Sequence, residues 1–169
     1  MSSNSKLDAI GKNQSAYMLE TASDYLRAAK VIWLQPNLQT VAMVNAAIAI
    51  EIILKSFISQ PTNNMRKGTV GEQYEIKQKV HLFNEIAAKI DRDIYDKLNF
   101  SRYCSFFEKN KALFVESRYP YEPSSRGGFN DEAIRVGIEI FNATMRWYKE
   151  TGNEDPWVKA YPDVAGGPV

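Results

Sequence analysis

Proline and glycine, the residues that interrupt helices most reliably, are spread so unevenly along this chain that they nearly settle its fold class. Residues 12–35, 37–60 and 72–119 contain neither, and Gly137 is the sole interruption between Phe129 and Thr151. Proline removes a backbone donor and clashes with the preceding turn, and glycine costs about 1 kcal/mol in a helix interior. Runs this long without either favour helices over the short strands and frequent turns of an all-β domain.

Hydrophobic spacing agrees. Met18, Ala22, Leu26, Ala29 and Trp33 recur at intervals of three and four, which predicts a first helix near 14–34, stopped before Pro36. A second helix is expected over about 38–59. At about 100° per residue its polar members Asn45, Glu51, Lys55 and Ser56 fall within roughly 140° of arc, and the rest of the circumference is apolar. A helix like that is wrapped by neighbours on several sides and belongs at the centre of a bundle. After a loop from Pro61 to about Gly71, a third helix uses Ile76, Val80, Phe83, Ala87 and Ile90. Asp91 caps a fourth over 92–117, with a break near Ser101, and residues 119–128 form the second main loop. Asn130 caps the last helix, Phe129 staples onto Ile134, and Ile134, Gly137, Ile138, Phe141, Met145 and Tyr148 form its buried stripe up to Gly152. The expected architecture is all-α: an up-and-down bundle of four to five helices over 14–152, with a flexible segment at 1–13. An extended tail follows at 153–169, in which Trp157 and Tyr161 pack onto the bundle or a partner.

Composition narrows the function classes. With 169 residues, 44% of them apolar, the chain suits one domain able to bury its own core. A net charge of +1 lacks the global field of a strong nucleic-acid or membrane binder. Locally, residues 61–128 are modestly basic (12 against 9) and 129–169 modestly acidic (4 against 7). A single cysteine, Cys104, permits no internal disulfide and no cysteine-based zinc site. Set among Tyr103, Phe106 and Phe107, it reads as a core residue. A single histidine, His81, rules out a His-rich metal cage. Met1–Lys12 has no apolar core of a secretory signal, and Val41–Ile58 carries Glu51 and Lys55, which make membrane insertion costly. A cytoplasmic chain without membrane contact, metal or cofactor is expected.

Three polar features stand out. Glu51 and Lys55 lie four residues apart with the acid first, the favourable order for a helical ion pair. They read either as a structural pair or as the holder of a third group. Arg118, followed by Tyr119, Pro120, Tyr121 and Glu122, falls where Pro120 should end the fourth helix. There it either caps the last carbonyls or reaches Glu51, with Tyr119 and Tyr121 as the walls of a pocket for a phosphate or a base. His81, at the start of the third helix, reads as a structural histidine or as a titrating group. No phosphate-binding glycine loop, dinucleotide fingerprint, zinc-protease helix or nucleophile elbow occurs in the sequence.

The run from Asn45 to Lys55, then His81-Leu82, then Arg118-Tyr119-Pro120-Tyr121-Glu122 resembles the HEPN superfamily of prokaryotic helical proteins, in particular members with an Arg-Tyr-x-Tyr-Glu segment. The resemblance covers roughly 15–150 and implies a HEPN-like bundle, commonly a homodimer, in toxin–antitoxin or other defence systems. It implies a nucleotidyltransferase-type antitoxin as partner. Active members are metal-independent ribonucleases with an arginine, four to six residues, and a histidine. Here the histidine is His81, and the matching positions hold Tyr74, Glu75 and Ile76. The motif is absent, so the expectation is a non-catalytic domain that binds RNA, a nucleotide or a partner protein. Its polar cleft would comprise Glu51, Lys55, Arg118, Tyr119, Tyr121 and Glu122, with Asn45 and His81 as additional candidates. The alternatives are a divergent ribonuclease in which His81 and Arg118 meet in space, and an interaction module anchored by Trp157 and Tyr161.

Overall fold

The computed structural model describes residues 11–12, 16–61, 74–76, 79–125, 128 and 130–169. The fold is an all-α bundle. Its helices are α1 (Tyr17–Trp33), α2 (Gln39–Ser56), α3 (Phe83–Ala87), α4 (Arg92–Lys97), a 3₁₀ turn (Phe100–Tyr103), α5 (Cys104–Lys109), α6 (Leu113–Arg118), α7 (Glu132–Glu150) and α8 (Pro156–Ala160). Gln60–Pro61 pairs antiparallel with Tyr74–Glu75, and this two-residue ladder adds no layer to the bundle. Of the segment expected at 1–13, all but Gly11 and Lys12 lies outside the described residues.

α1 and α2 form a tight hairpin. Leu19, Ala22, Leu26 and Ala29 line the buried face of α1, and Pro36 with Asn37 turns the chain. Asn37 has a φ of 63°, a left-handed conformation that asparagine tolerates better than most residues. α2 then packs against α1, α3, α6 and α7, as its nearly all-round apolar surface requires. Ala42, Ala46, Ala47 and Ala49 keep its surface thin, so neighbours approach closely around Ile50, Ile53 and Leu54. By length and mean hydropathy (1.3) α2 could cross a membrane, yet half of that stretch is buried inside the bundle. On α7, a Cβ at Gly137 would stand 2.7 Å from Leu26 Cδ2 and 3.4 Å from Ile50 Cγ1. The missing side chain thus sets the spacing where α7 crosses the hairpin.

The middle of the chain departs from its expected long helices. Val80, Phe83, Ala87 and Ile90 are buried as their spacing implies, but only Phe83–Ala87 is helical. The Phe83 N–H donates to Lys111 O at 3.1 Å, a partner outside any helix of its own, and Leu82 is extended. The periodicity here marks burial, not an unbroken helix. Asp91 does cap α4, its Oδ1 accepting from the N–H groups of Asp93 (3.0 Å) and Ile94 (3.4 Å). The helix expected over 92–117 is broken near Ser101, as its sequence suggested, and a second time at Asn110. Asn99 turns left-handed at φ 55°, and the side chain of buried Asn110 donates to Phe106 O at 2.9 Å. Asparagine competes with the helix through such local bonds.

At the C-terminal end, Asp131 occupies the cap position of α7, and Asn130 Oδ1 accepts from the Glu132 N–H one residue further in. The expected Phe129 staple lies outside the described residues. The segment after Gly152 is not simply extended. Asp155 caps α8 through the Trp157 N–H at 2.8 Å, and its other oxygen accepts from the Ala16 N–H at 2.9 Å. Trp157 and Tyr161 pack edge-on against Phe141, with ring centroids 6.3 and 5.6 Å away. Of the two placements expected for these rings, on the bundle or on a partner, the structure shows the first, and both are half-buried there.

Candidate functional site

α2 brings Glu51 and Lys55 to the same side one turn apart, and the extended residues before α3 lay His81 over them. Lys55 Nζ donates to Glu51 Oε1 at 2.6 Å, and His81 Nδ1 lies 2.9 Å from the same oxygen. A carboxylate only accepts, so the Nδ1 carries the proton in this contact and Nε2 is left for another partner. Lys55 Nζ is 3.4 Å from His81 Nδ1, so both donors converge on one carboxylate. The Glu51 and Lys55 side chains are 14% and 13% exposed, while His81 is 63% exposed. The nearly buried pair is thus internally compensated, as low-dielectric surroundings demand, and the imidazole forms its solvent-facing cover. The ion pair was legible from spacing; the third group it holds is His81.

Arg118 does not take that place. α6 ends at Arg118, as expected from Pro120, and Tyr119 leaves the helical region. The exposed guanidinium lies 5.0 Å from the Phe114 ring centroid and 4.3 Å from that of Tyr119. Phe114 is one turn back and Tyr119 is adjacent, so local rings capture the cation before a distant carboxylate can. Tyr121 is 80% exposed, its ring 5.8 Å from Tyr119. Glu122 is exposed and its N–H closes a turn onto Tyr119 O at 3.0 Å. Asn45 donates to Val41 O in its own helix at 2.8 Å and joins neither group. The single expected cleft therefore resolves into two sets, Glu51–Lys55–His81 and Phe114–Arg118–Tyr119–Tyr121. No hydrogen bond or ion pair joins them among the described residues.

Two further features escaped the sequence reading. Glu139 on α7 accepts from Arg102 Nη2 and, at 2.6 Å, from the Tyr103 hydroxyl. The Tyr103 hydrogen bond, aided by Arg102, holds the Glu139 carboxyl below the usual carboxylate range. Burial and then Glu139 push the Tyr103 phenol up. The signal was faint: Tyr103 reads as core by spacing, and nothing local ties it to a residue 36 positions away. Cys104 is exposed rather than core, with Sγ 3.1 Å from the Tyr95 hydroxyl. Tyr103, Phe106, Phe107 and Asn110 form the inner stripe at helical spacing, which leaves Cys104 on the outer side.

Compared with family models, with curated proteins and with solved structures, the chain matches none.

Proposed function

We propose that this chain is a non-catalytic, HEPN-like domain that binds single-stranded RNA through Arg118 and the aromatic residues around it. The carrying observation is an exposed guanidinium stacked on Tyr119 and Phe114, with no carboxylate partner among the described residues, beside a tyrosine that is 80% exposed. An arginine held by neighbouring rings keeps its donors free for phosphate, and exposed tyrosine faces stack unpaired bases at about 1–3 kcal/mol per base. Glu51–Lys55–His81 is internally neutralised and contributes little to backbone attraction. The homodimer and nucleotidyltransferase-type partner belong to the same HEPN-like reading.

The geometry also favours a second reading. His81, oriented by Glu51 through Nδ1 and 63% exposed, has the arrangement of a general base that could take the proton of a ribose 2′-hydroxyl. One experiment separates the two. A fluorescent single-stranded RNA 12-mer is titrated by anisotropy and then run on a denaturing gel. On the binding reading the RNA stays intact and Arg118→Ala weakens affinity about tenfold with an unchanged Tm. Unchanged affinity in Arg118→Ala, or no binding by the wild type, would sink it. Cleavage that disappears in His81→Gln would establish the second reading instead.

A further inference from the structure

Cavities around the bundle differ in charge. The one between the end of α4, the 3₁₀ turn and α7, of about 500 Å³, sets Lys97, Arg102 and Arg146 against Glu139 and Glu150. The one between α1 and the segment from α8 onward, of about 470 Å³, is far from balance. Its described lining sets Glu20, Asp24, Asp155 and Asp163 against Arg27 alone.

Two of those four carboxylates are committed within the chain. Asp24 pairs with Arg27, whose Nη1 also donates to Ala165 O at 3.1 Å. Gly166, at a φ of 86°, makes room for that guanidinium, since a Cβ there would stand 1.1 Å from Nη1. Asp155 gives both oxygens to backbone N–H groups. Glu20 and Asp163 remain, and no hydrogen bond or ion pair reaches either carboxylate among the described residues. Burial and then the charges of Asp24 and Asp155 raise the Glu20 pKa, as befits a carboxylate short of a cation.

A second observation also points to a ligand. Glu20, Ser23, Asp24 and Arg27 are spaced by three and four and share one face of α1. On that face Ser23 is 1% exposed, lines the cavity, and makes no hydrogen bond among the described residues. A buried hydroxyl is normally satisfied, so this one calls for a partner from outside the chain. Beside open carboxylates, that partner is a group rich in donors. The C-terminal segment runs alongside α1, with Asp155 at Ala16 and Ala165 at Arg27. Asp163 thus belongs to the Arg27 end and Glu20 to the Ala16 end, about 10 Å apart along the helix. Tyr17 and Trp157 add aromatic rings to the same lining, which attract ammonium groups and cover methylenes.

We infer that this cavity binds a short aliphatic polyamine, with one ammonium on Glu20 and Ser23, a second on Asp163, and its methylenes along Trp157 and Tyr17. Two lysines of a peptide offer the same ammonium chemistry, but the volume is that of a small-molecule site. The site is separate from the Arg118 surface and does not depend on it.

The test uses the full chain at physiological salt, titrated in a calorimeter with spermidine, propylamine, Mg²⁺ and an acetylated dilysine peptide. Spermidine should bind at least about tenfold more tightly than the other three, because it alone reaches both carboxylates from inside the cavity. Glu20→Gln and Asp163→Asn should each weaken it about tenfold, the value of one charge-assisted contact, and Ser23→Ala by a few fold. Arg118→Ala should leave it unchanged while lowering RNA affinity. By NMR the Glu20 pKa should fall as spermidine is added, because the ammonium offsets the charges of Asp24 and Asp155. Glu20 and Asp163 are exposed, so both variants should fold, and a melting temperature that does not drop checks that. No spermidine binding, equal affinity for propylamine or Mg²⁺, or binding untouched in the Glu20→Gln, Asp163→Asn double variant would each overturn the proposal. Tighter binding of the dilysine peptide would assign the site to a protein partner and overturn it too.

Discussion

The acidic cavity beside α1 and the cation-rich cavity beside α7 have nearly the same volume, about 470 and 500 Å³, and opposite character. In the acidic one Asp155 and Asp24 are committed to the chain. Asp155 spends both oxygens on backbone N–H groups of Ala16 and Trp157, and Asp24 pairs with Arg27, which also donates to Ala165 O. That cavity is a joint between α1 and the C-terminal segment. In the cation-rich one Glu139 is committed to Arg102 and Tyr103, while Arg146 and Glu150 are exposed. Size alone therefore does not distinguish them; the sign of the charged groups that line them does.

The largest way to break this contrast is Phe141→Ala. Phe141 supports Trp157 and Tyr161, so its loss should cost about 3–5 kcal/mol in denaturant unfolding. Amide exchange should then rise across residues 156–165 while the 3₁₀ turn stays protected. Next comes Asp155→Ala, which removes the cap of α8 and the acceptor for Ala16, at about 1–2 kcal/mol. The same variant should lower the Glu20 pKa measured by NMR, because Asp155 is one of the charges raising it.

The smallest effects are in pH dependence, and they run in opposite directions. Burial, then the charges of Asp24 and Asp155, raise Glu20 above 4.5, so protonated Glu20 suits the folded state. Its contribution is complete below the unfolded pKa and lost as pH rises through the folded one. Glu139 is lowered by Tyr103 and Arg102, so its contribution is present above the unfolded pKa of 4.5 and lost as pH falls through the folded one. Melting curves between about pH 3 and pH 7 should show Glu20→Gln flattening the loss on the alkaline side and Glu139→Gln flattening the acid side. Parallel changes in the two variants would dissolve the contrast.

Much of the scaffold was readable because it is local. The absence of proline and glycine, the all-round apolar surface of α2, the stop before Pro120 and the Asp91 cap all follow from residues within a turn or two of one another. The Glu51–Lys55 pair was readable for the same reason. His81 meeting Glu51 joins residues 30 positions apart, and Glu139 meeting Tyr103 joins residues 36 apart. Arg118 shows the converse: its nearest rings are its neighbours in sequence, and they outcompeted the distant partner proposed for it.

By itself, then, the sequence determined an all-α bundle around α2, since helix formation and burial depend on spacing along one chain. Only the tertiary structure decided that Asn110 would break the middle helix a second time and which groups share Glu51. Those outcomes depend on competition between local bonds and contacts from distant segments, and that competition is resolved only when the segments pack.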